Sequence, residues 1–196
     1  MRVNETFVSL QGEGYFTGTP AFFLRLSGCN LQCSFCDTNH QTYKEMSEDE
    51  IVQEASREKP RHIVITGGEP ALQLTQSLVD KLHDAGFFIQ VETNGTLPLP
   101  QGIDWVTASP KSSPIREDLK IDELKVLYKG VGDDPELFLK SLPKRESRGG
   151  LFLYLQPLDT GDDMRNRIIL RDTIAYILEH PKWSLSLQTH KLLGIK

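Results

Sequence analysis

Seven short runs of apolar and β-branched residues, at 21–26, 62–66, 87–92, 104–108, 124–128, 150–155 and 183–187, constrain the fold of this 196-residue chain more than any other feature. Most are continuously apolar, as strands buried on both faces of a parallel sheet are, whereas a strand with one wet face alternates. Helical segments lie between them. Residues 47–57 open with a capping box formed by Ser47 and Glu50, and 71–85 follow Pro70 and stop at Gly86. Residues 134–142 carry Pro135 at the opening position, and 164–179 end before Pro181. The order is therefore β-α repeated. The links 93–103 and 109–123, rich in Gly, Pro and Ser, leave little room for crossover helices, so some outer helices are missing. A closed eight-fold β/α barrel usually takes about 250 residues. The expectation is a cropped, partial parallel β/α barrel, or else a doubly wound sheet. No repeat or linker divides the chain and the polar stretch 143–150 reads as a surface loop, so residues 1–196 are taken as one domain.

Twenty-two basic against 27 acidic side chains give a net charge of −5, which argues against a broad nucleic-acid-binding face. No charged-then-apolar leader and no apolar run of membrane-spanning length is present, so the expectation is a cytoplasmic protein with no membrane partner. All three cysteines, Cys29, Cys33 and Cys36, lie within eight residues and cannot build a distributed disulfide framework. They read as ligands in a reducing compartment.

The unusual polar residues fall at strand ends. Thr66-Gly67-Gly68-Glu69-Pro70, Glu92-Thr93-Asn94-Gly95, Ser109-Pro110-Lys111, Gln156-Pro157 and Gln188-Thr189-His190-Lys191 each follow a run expected to be a strand. In parallel β/α architecture those ends share one rim, where ligands bind. The three cysteines follow the first run and so join the same rim. Structural zinc takes four protein ligands, and His40 could complete a Cys3His site. Three thiolates holding a [4Fe–4S] cluster, with the fourth iron open, explain both the missing ligand and the polar rim.

The Cys-x3-Cys-x2-Cys loop, about 27–40, with Phe35 before its last cysteine, and the Gly67-Gly68-Glu69-Pro70 stretch together resemble the radical S-adenosylmethionine superfamily. Leu10-Gln11-Gly12-Glu13-Gly14, Arg25-Leu26, Gly28-Cys29-Asn30-Leu31, Cys36-Asp37-Thr38, Glu92 to Thr96, Ser109-Pro110-Lys111 and Leu155-Gln156-Pro157 look more narrowly like the 7-carboxy-7-deazaguanine synthase family. That resemblance implies reductive cleavage of S-adenosylmethionine on the open iron. Hydrogen abstraction from 6-carboxytetrahydropterin and rearrangement to a deazapurine with loss of ammonia follow, in the biosynthesis of queuosine-type tRNA bases. The cofactor carries the difficult chemistry and the protein places and shields it.

The same resemblance implies residue roles. Cys29, Cys33 and Cys36 would hold the cluster, and Thr38 a Mg²⁺ ion. Phe35, Cys36, Asp37, Gly68, Glu69, Ser109, Lys111 and Gln156 would bind adenosylmethionine, with Glu69 meeting its amino group. Leu10, Gln11, Gly12, Arg25 and Thr66 would contact substrate. An Arg inside the run Phe22-Phe23-Leu24-Arg25-Leu26 must either reach a ligand or pair internally with Glu13 or another acid. Lys111 has a solvated surface position as its alternative, Thr38 a local turn, and Gly67-Gly68 a plain βα turn. Glu92, Thr93 and Asn94 could support the cavity or simply end a strand; His40 reads as a loop residue, and Lys196 is assigned no role. Family likeness further implies a flavodoxin or ferredoxin as electron donor and a homodimer. Two other functions compete: an activase of glycyl-radical enzymes, disfavoured by the lack of further cysteines, and a non-catalytic, zinc-stabilised binding module.

Overall fold

A computed structural model describes residues 1–34, 36, 42–111, 114–142 and 150–196. Among these, nine strands join one sheet in the order β3-β1-β2-β4-β5-β6-β7-β8-β9. Strands β1 (Arg2–Leu10), β2 (Pro20–Leu26) and β3 (Lys44–Glu45) are followed by helix α1 (Glu48–Ser56). Next come β4 (His62–Gly67), α2 (Gln76–Asp84), β5 (Phe88–Thr93), β6 (Trp105–Ala108), β7 (Glu123–Tyr128) and α3 (Glu136–Ser141). The chain finishes with β8 (Phe152–Pro157), α4 (Asp163–Glu179), β9 (Ser184–Leu185) and α5 (Thr189–Leu193).

The seven runs expected as strands are β2 and β4 to β9, all parallel to one another. Their spatial order follows the chain without reversal. A doubly wound sheet changes direction at a switch point; an order that never reverses puts every crossover on one face and leaves the other to curl inward. The fold is therefore the partial barrel and not the doubly wound alternative. As the short links imply, β5, β6 and β7 succeed one another with no helix among the described residues between them.

Most apolar side chains face outward, with a small inner cluster of Phe7, Ala21, Phe23 and Val64. Phe22, Leu24, Leu26, Ile63, Ile65, Ile89 and Val91 pack outward with Ile51 of α1 and Leu78, Val79 and Leu82 of α2. Leu124, Val126, Tyr128 and Leu155 form a second outer core with Trp183. Their neighbours along the strands point into the arc: Arg25, Thr66, Gln90, Glu92, Thr107, Lys125 and Gln156. Burial on both faces holds, but toward the strand ends the inner face from β5 onward is largely polar because it lines a cavity, while at its base Phe88, Trp105 and Phe152 pack with Tyr15 and Phe16.

Four local differences from the sequence reading have physical causes. β1, antiparallel to β2 from Val3↔Leu26 to Leu10↔Pro20, was not expected, because Asn4, Glu5 and Thr6 interrupt its apolar residues. The expected helix 71–85 begins as a 3-10 turn, Pro70–Leu72, capped by Glu69, and restarts as α2 where the Thr75 hydroxyl accepts from the Leu78 amide. Pro135 is the N-cap of α3 and supplies no side-chain cap. Helix α5 follows Gln188 and closes at Gly194 in the left-handed conformation. The Ser47–Glu50 capping box forms as expected. Of the stretch 143–150, only Gly150 is described. No described helix is long and apolar enough to cross a membrane.

Candidate functional site

The strand ends surround a cavity of about 650 Å³. Into it face Leu10, Gln11 and Gly12 from the end of β1, Arg25 from β2, Thr66 from β4, and the loop cysteines Cys29, Cys33 and Cys36. Gly68, Ser109, Lys111 and Gln156 complete the set of expected residues on its wall. Phe35, Asp37, Thr38 and His40 lie outside the described residues. Glu69 stands behind the wall, fully buried.

The cysteine loop is fastened from two sides. The amides of Gly68 and Glu69 donate to the carbonyls of Leu26 and Gly28, at 3.1 and 2.9 Å. Asn94 Nδ2 donates to Asn30 Oδ1 at 3.0 Å, and Asn30 Nδ2 to Thr96 Oγ1 at 2.8 Å. The loop is thereby held at the mouth of the cavity. Cys29 Sγ accepts from the Leu31 amide at 3.4 Å, while burial pushes the thiol up in pKa. Among the described residues no three His, Cys, Asp or Glu side chains converge on one point as ligands of a single metal ion. A cubane makes a different demand, since each thiolate holds its own iron. Three soft sulfur donors that all open onto one cavity fit such a cluster, which Cys29, Cys33 and Cys36 would hold.

Gly67 is required by the turn itself. Its φ is +131°, and a Cβ there would come within 2.0 Å of the Leu26 carbonyl oxygen. Glu69 then reaches the next strand end: Oε1 accepts from Thr93 Oγ1 at 2.7 Å and the Ala71 amide at 3.0 Å, and Oε2 from the Asn94 amide at 2.7 Å. Burial raises its pKa against these donors. A carboxylate has about four acceptor positions, and three of these are filled by protein donors.

Arg25 resolves to a partner other than Glu13. Its Nε donates to Glu5 Oε1 at 3.0 Å, directly across the β1–β2 pairing, while Lys196 Nζ donates to Glu5 Oε2 at 2.7 Å. Both cations also face the cavity. Lys111 is half-buried and donates to Ser109 Oγ at 2.9 Å; burial, reinforced by Lys125, pushes its pKa down. Gln156 Oε1 accepts from Ser186 Oγ at 2.9 Å, whose oxygen in turn accepts from the Gly14 amide at 3.0 Å.

A buried ionic group was not foreseen. Lys125 Nζ donates to Glu13 Oε2 at 2.5 Å and to Glu92 Oε2 at 2.7 Å. Glu92 Oε1 accepts from Gln11 Nε2 at 3.2 Å, Gln11 Oε1 accepts from the Glu13 amide at 3.2 Å, and Glu13 Oε1 accepts from Gln188 Nε2 at 2.9 Å. Gly12 is pinned beside them: the Thr189 amide donates to its carbonyl at 3.0 Å, and a Cβ on it would strike His190 Nδ1 at 2.3 Å. These bonds join the segment after β9 to the segment after β1 and close the open side of the arc. The clue was available in Leu124-Lys125-Val126, a charge inside an apolar run like that of Arg25.

The model of the Radical SAM superfamily matches residues 24–142. The chain is 47% identical over 195 residues to the 7-carboxy-7-deazaguanine synthase of Bacteroides thetaiotaomicron, covering 100% of this chain and 98% of that protein. It is 38% identical to the enzyme of the same name from Synechocystis, covering 99% and 93%. Among solved structures, the crystal structure of QueE from Escherichia coli superposes with a TM-score of 0.78 at 32% identity, covering 95% of this chain and 92% of that one.

Proposed function

Because the chain belongs to the 7-carboxy-7-deazaguanine synthase family of the radical SAM superfamily, we propose that it converts 6-carboxy-5,6,7,8-tetrahydropterin to 7-carboxy-7-deazaguanine and ammonia, a carbon–nitrogen lyase step toward queuosine-type tRNA bases. Loss of ammonia accounts for the whole difference between the two heterocycles, so the conversion is redox-neutral. The observation that carries the reading is that Cys29, Cys33 and Cys36 share one cavity with Gln11, Arg25, Thr66 and Lys111.

When bound, the cluster and adenosylmethionine supply a hydrogen-abstracting carbon radical. The protein's residues bind, orient and shield. Cys29, Cys33 and Cys36 hold the iron. Glu69, by resemblance, meets the amino group of adenosylmethionine from behind the wall, and Lys111 with Ser109 and Gln156 receives its carboxylate and ribose. Arg25 suits the pterin carboxylate, since a guanidinium offers a planar fork of donors; the Glu5 partner is then shared with Lys196. Leu10, Gln11, Gly12 and Thr66 contact the ring. Phe35 and Asp37 on the cofactor, and Thr38 on a Mg²⁺ ion, complete the set by resemblance.

Residues 1–196 act in this reading as one radical SAM domain in the cytoplasm, homodimeric, with a flavodoxin or ferredoxin as electron donor and neither nucleic acid nor membrane as a direct partner. Anaerobic protein reconstituted with iron and sulfide, given the pterin, adenosylmethionine, Mg²⁺ and a reductant, is expected to release 7-carboxy-7-deazaguanine. One bound zinc, no sulfide and no product would refute the proposal.

A further inference from the structure

We propose that Lys125 is a positioning residue for the pterin: by holding Glu13 and Glu92 as paired acceptors it sets the orientation of the Gln11 amide, and so the donor and acceptor pattern that the cavity floor offers to the heterocycle. The inference deepens the proposed function and rests on it for the identity of the ligand.

The inner face of a β/α barrel is ordinarily filled by layers of branched apolar side chains. Here a lysine that is 2% exposed stands in their place. A buried ammonium costs several kcal/mol unless well compensated. Two carboxylates compensate this one, from β5 and from the segment after β1, at 2.7 and 2.5 Å. Burial opposes the charge of Lys125, yet Glu13, Glu92 and Glu123 together hold its pKa above the ordinary range. Burial likewise opposes ionisation of Glu13, and the Lys125 ammonium overrides it and holds that carboxyl well below the usual range. The remaining charged groups facing the cluster are Lys111, after β6, and His190, in α5.

Gln11 has no freedom in this setting. Its Nε2 meets Oε1 of Glu92, the carboxylate that Lys125 holds, and its Oε1 meets the backbone amide of Glu13, whose side chain Lys125 also holds. Without the ammonium, two carboxylate oxygens would face each other within about 5 Å in a buried site and would share a proton. That proton would lie between the Oε2 atoms that Lys125 had bridged, and Glu92, drawn toward Glu13, would withdraw Oε1 from Gln11 Nε2. The Gln11 amide would then lose its charged acceptor and its fixed orientation toward the ring until rising pH removes the shared proton.

The test compares Lys125→Met with the wild-type holoenzyme between about pH 6.5 and pH 9. Pterin affinity and KM are expected to be at least tenfold weaker in the variant at neutral pH, to recover as pH rises, and to follow no such trend in wild type; adenosylmethionine affinity should not change. Lys125→Arg, which keeps the charge, should restore the wild-type pH profile. Unchanged affinity, or a loss that is the same at every pH, would overturn the inference. Infrared spectroscopy tests the charge relation independently of the ligand. Lys125→Met should gain, beyond Glu123, a protonated carboxyl absorption that Glu92→Gln abolishes; no such band overturns the inference. The band without any pterin binding by wild type would instead defeat the functional reading and leave the charge relation standing. Should Lys125→Met not fold, Lys125→Met/Glu92→Gln replaces it: weak, pH-independent binding is expected, and wild-type affinity overturns the inference.

Discussion

Glu69, on the turn after β4, accepts a hydrogen bond from the backbone amide of Asn94, on the turn after β5, at 2.7 Å. The contact joins two strand ends and, through Asn94 and Asn30, steadies the cysteine loop. Glu69→Gln would aim an amide N–H at a backbone or hydroxyl donor. Leaving a buried donor unsatisfied costs about 1–3 kcal/mol. Denaturant unfolding should show a loss of that size, accompanied by weaker binding of adenosylmethionine. Unchanged stability would mean that Glu69 does not tie these turns together.

Gly67 and Gly86 both have positive φ, yet only Gly67 has backbone at 2.0 Å from a would-be Cβ; Gly86 has nothing within 4 Å. Gly67→Ala should therefore cost about 3 kcal/mol or more, and Gly86→Ala about 1 kcal/mol. Equal costs in urea titrations would show that the approach to Leu26 imposes no constraint.

At the base of the barrel, burial pushes Glu123 up to about 7, with Lys125 working against the shift. Its Oε2 accepts from the Tyr15 amide and Trp105 Nε1, while Oε1 has no hydrogen-bond partner among the described residues. A carboxyl whose folded pKa lies above its unfolded value binds a proton in the native state that the unfolded state has lost. Its stabilising contribution is whole below about 4.5 and disappears as pH rises through about 7. Wild-type stability should accordingly fall between about pH 5 and pH 8 by an amount on the order of 3 kcal/mol from this group. Glu123→Gln should flatten that slope in thermal unfolding; an unaltered slope would assign it elsewhere.

Each of Cys29→Ala, Cys33→Ala and Cys36→Ala removes one thiolate and should abolish reductive cleavage of adenosylmethionine and lower bound iron and sulfide. Thr38→Ala should keep the iron and weaken the response to Mg²⁺. Activity retained in any cysteine variant would break the ligand set, and an unchanged Mg²⁺ titration would remove Thr38 from it.

The parallel strands could be read from sequence because their outward residues, such as Ile63 and Ile65 or Leu124 and Val126, belong to a continuous outer core that demands apolar side chains. β1 escaped because Asn4, Glu5 and Thr6 sit on a strand whose other neighbour is only the two-residue β3, so fewer of its positions must be apolar. The cysteine loop and the Gly67–Pro70 turn declare themselves through local spacing. The Lys125 cluster does not: Glu13, Glu92 and Lys125 come from three distant segments, and only the curl of the sheet makes them partners. Arg25 shows the same limit. Its need for a partner followed from its apolar flanks, but the choice of Glu5 over Glu13 depended on the register of β1, a strand that the sequence pattern concealed.

The most direct measurement supplies the anaerobic, reconstituted protein with excess 6-carboxytetrahydropterin and substoichiometric adenosylmethionine, and quantifies deazapurine and ammonia together. Because the proposed rearrangement is redox-neutral, the hydrogen can return and adenosylmethionine be re-formed at each turnover; the account therefore predicts equal amounts of 7-carboxy-7-deazaguanine and ammonia, both exceeding the adenosylmethionine present. Adenosylmethionine cleaved with no deazapurine formed would contradict the account.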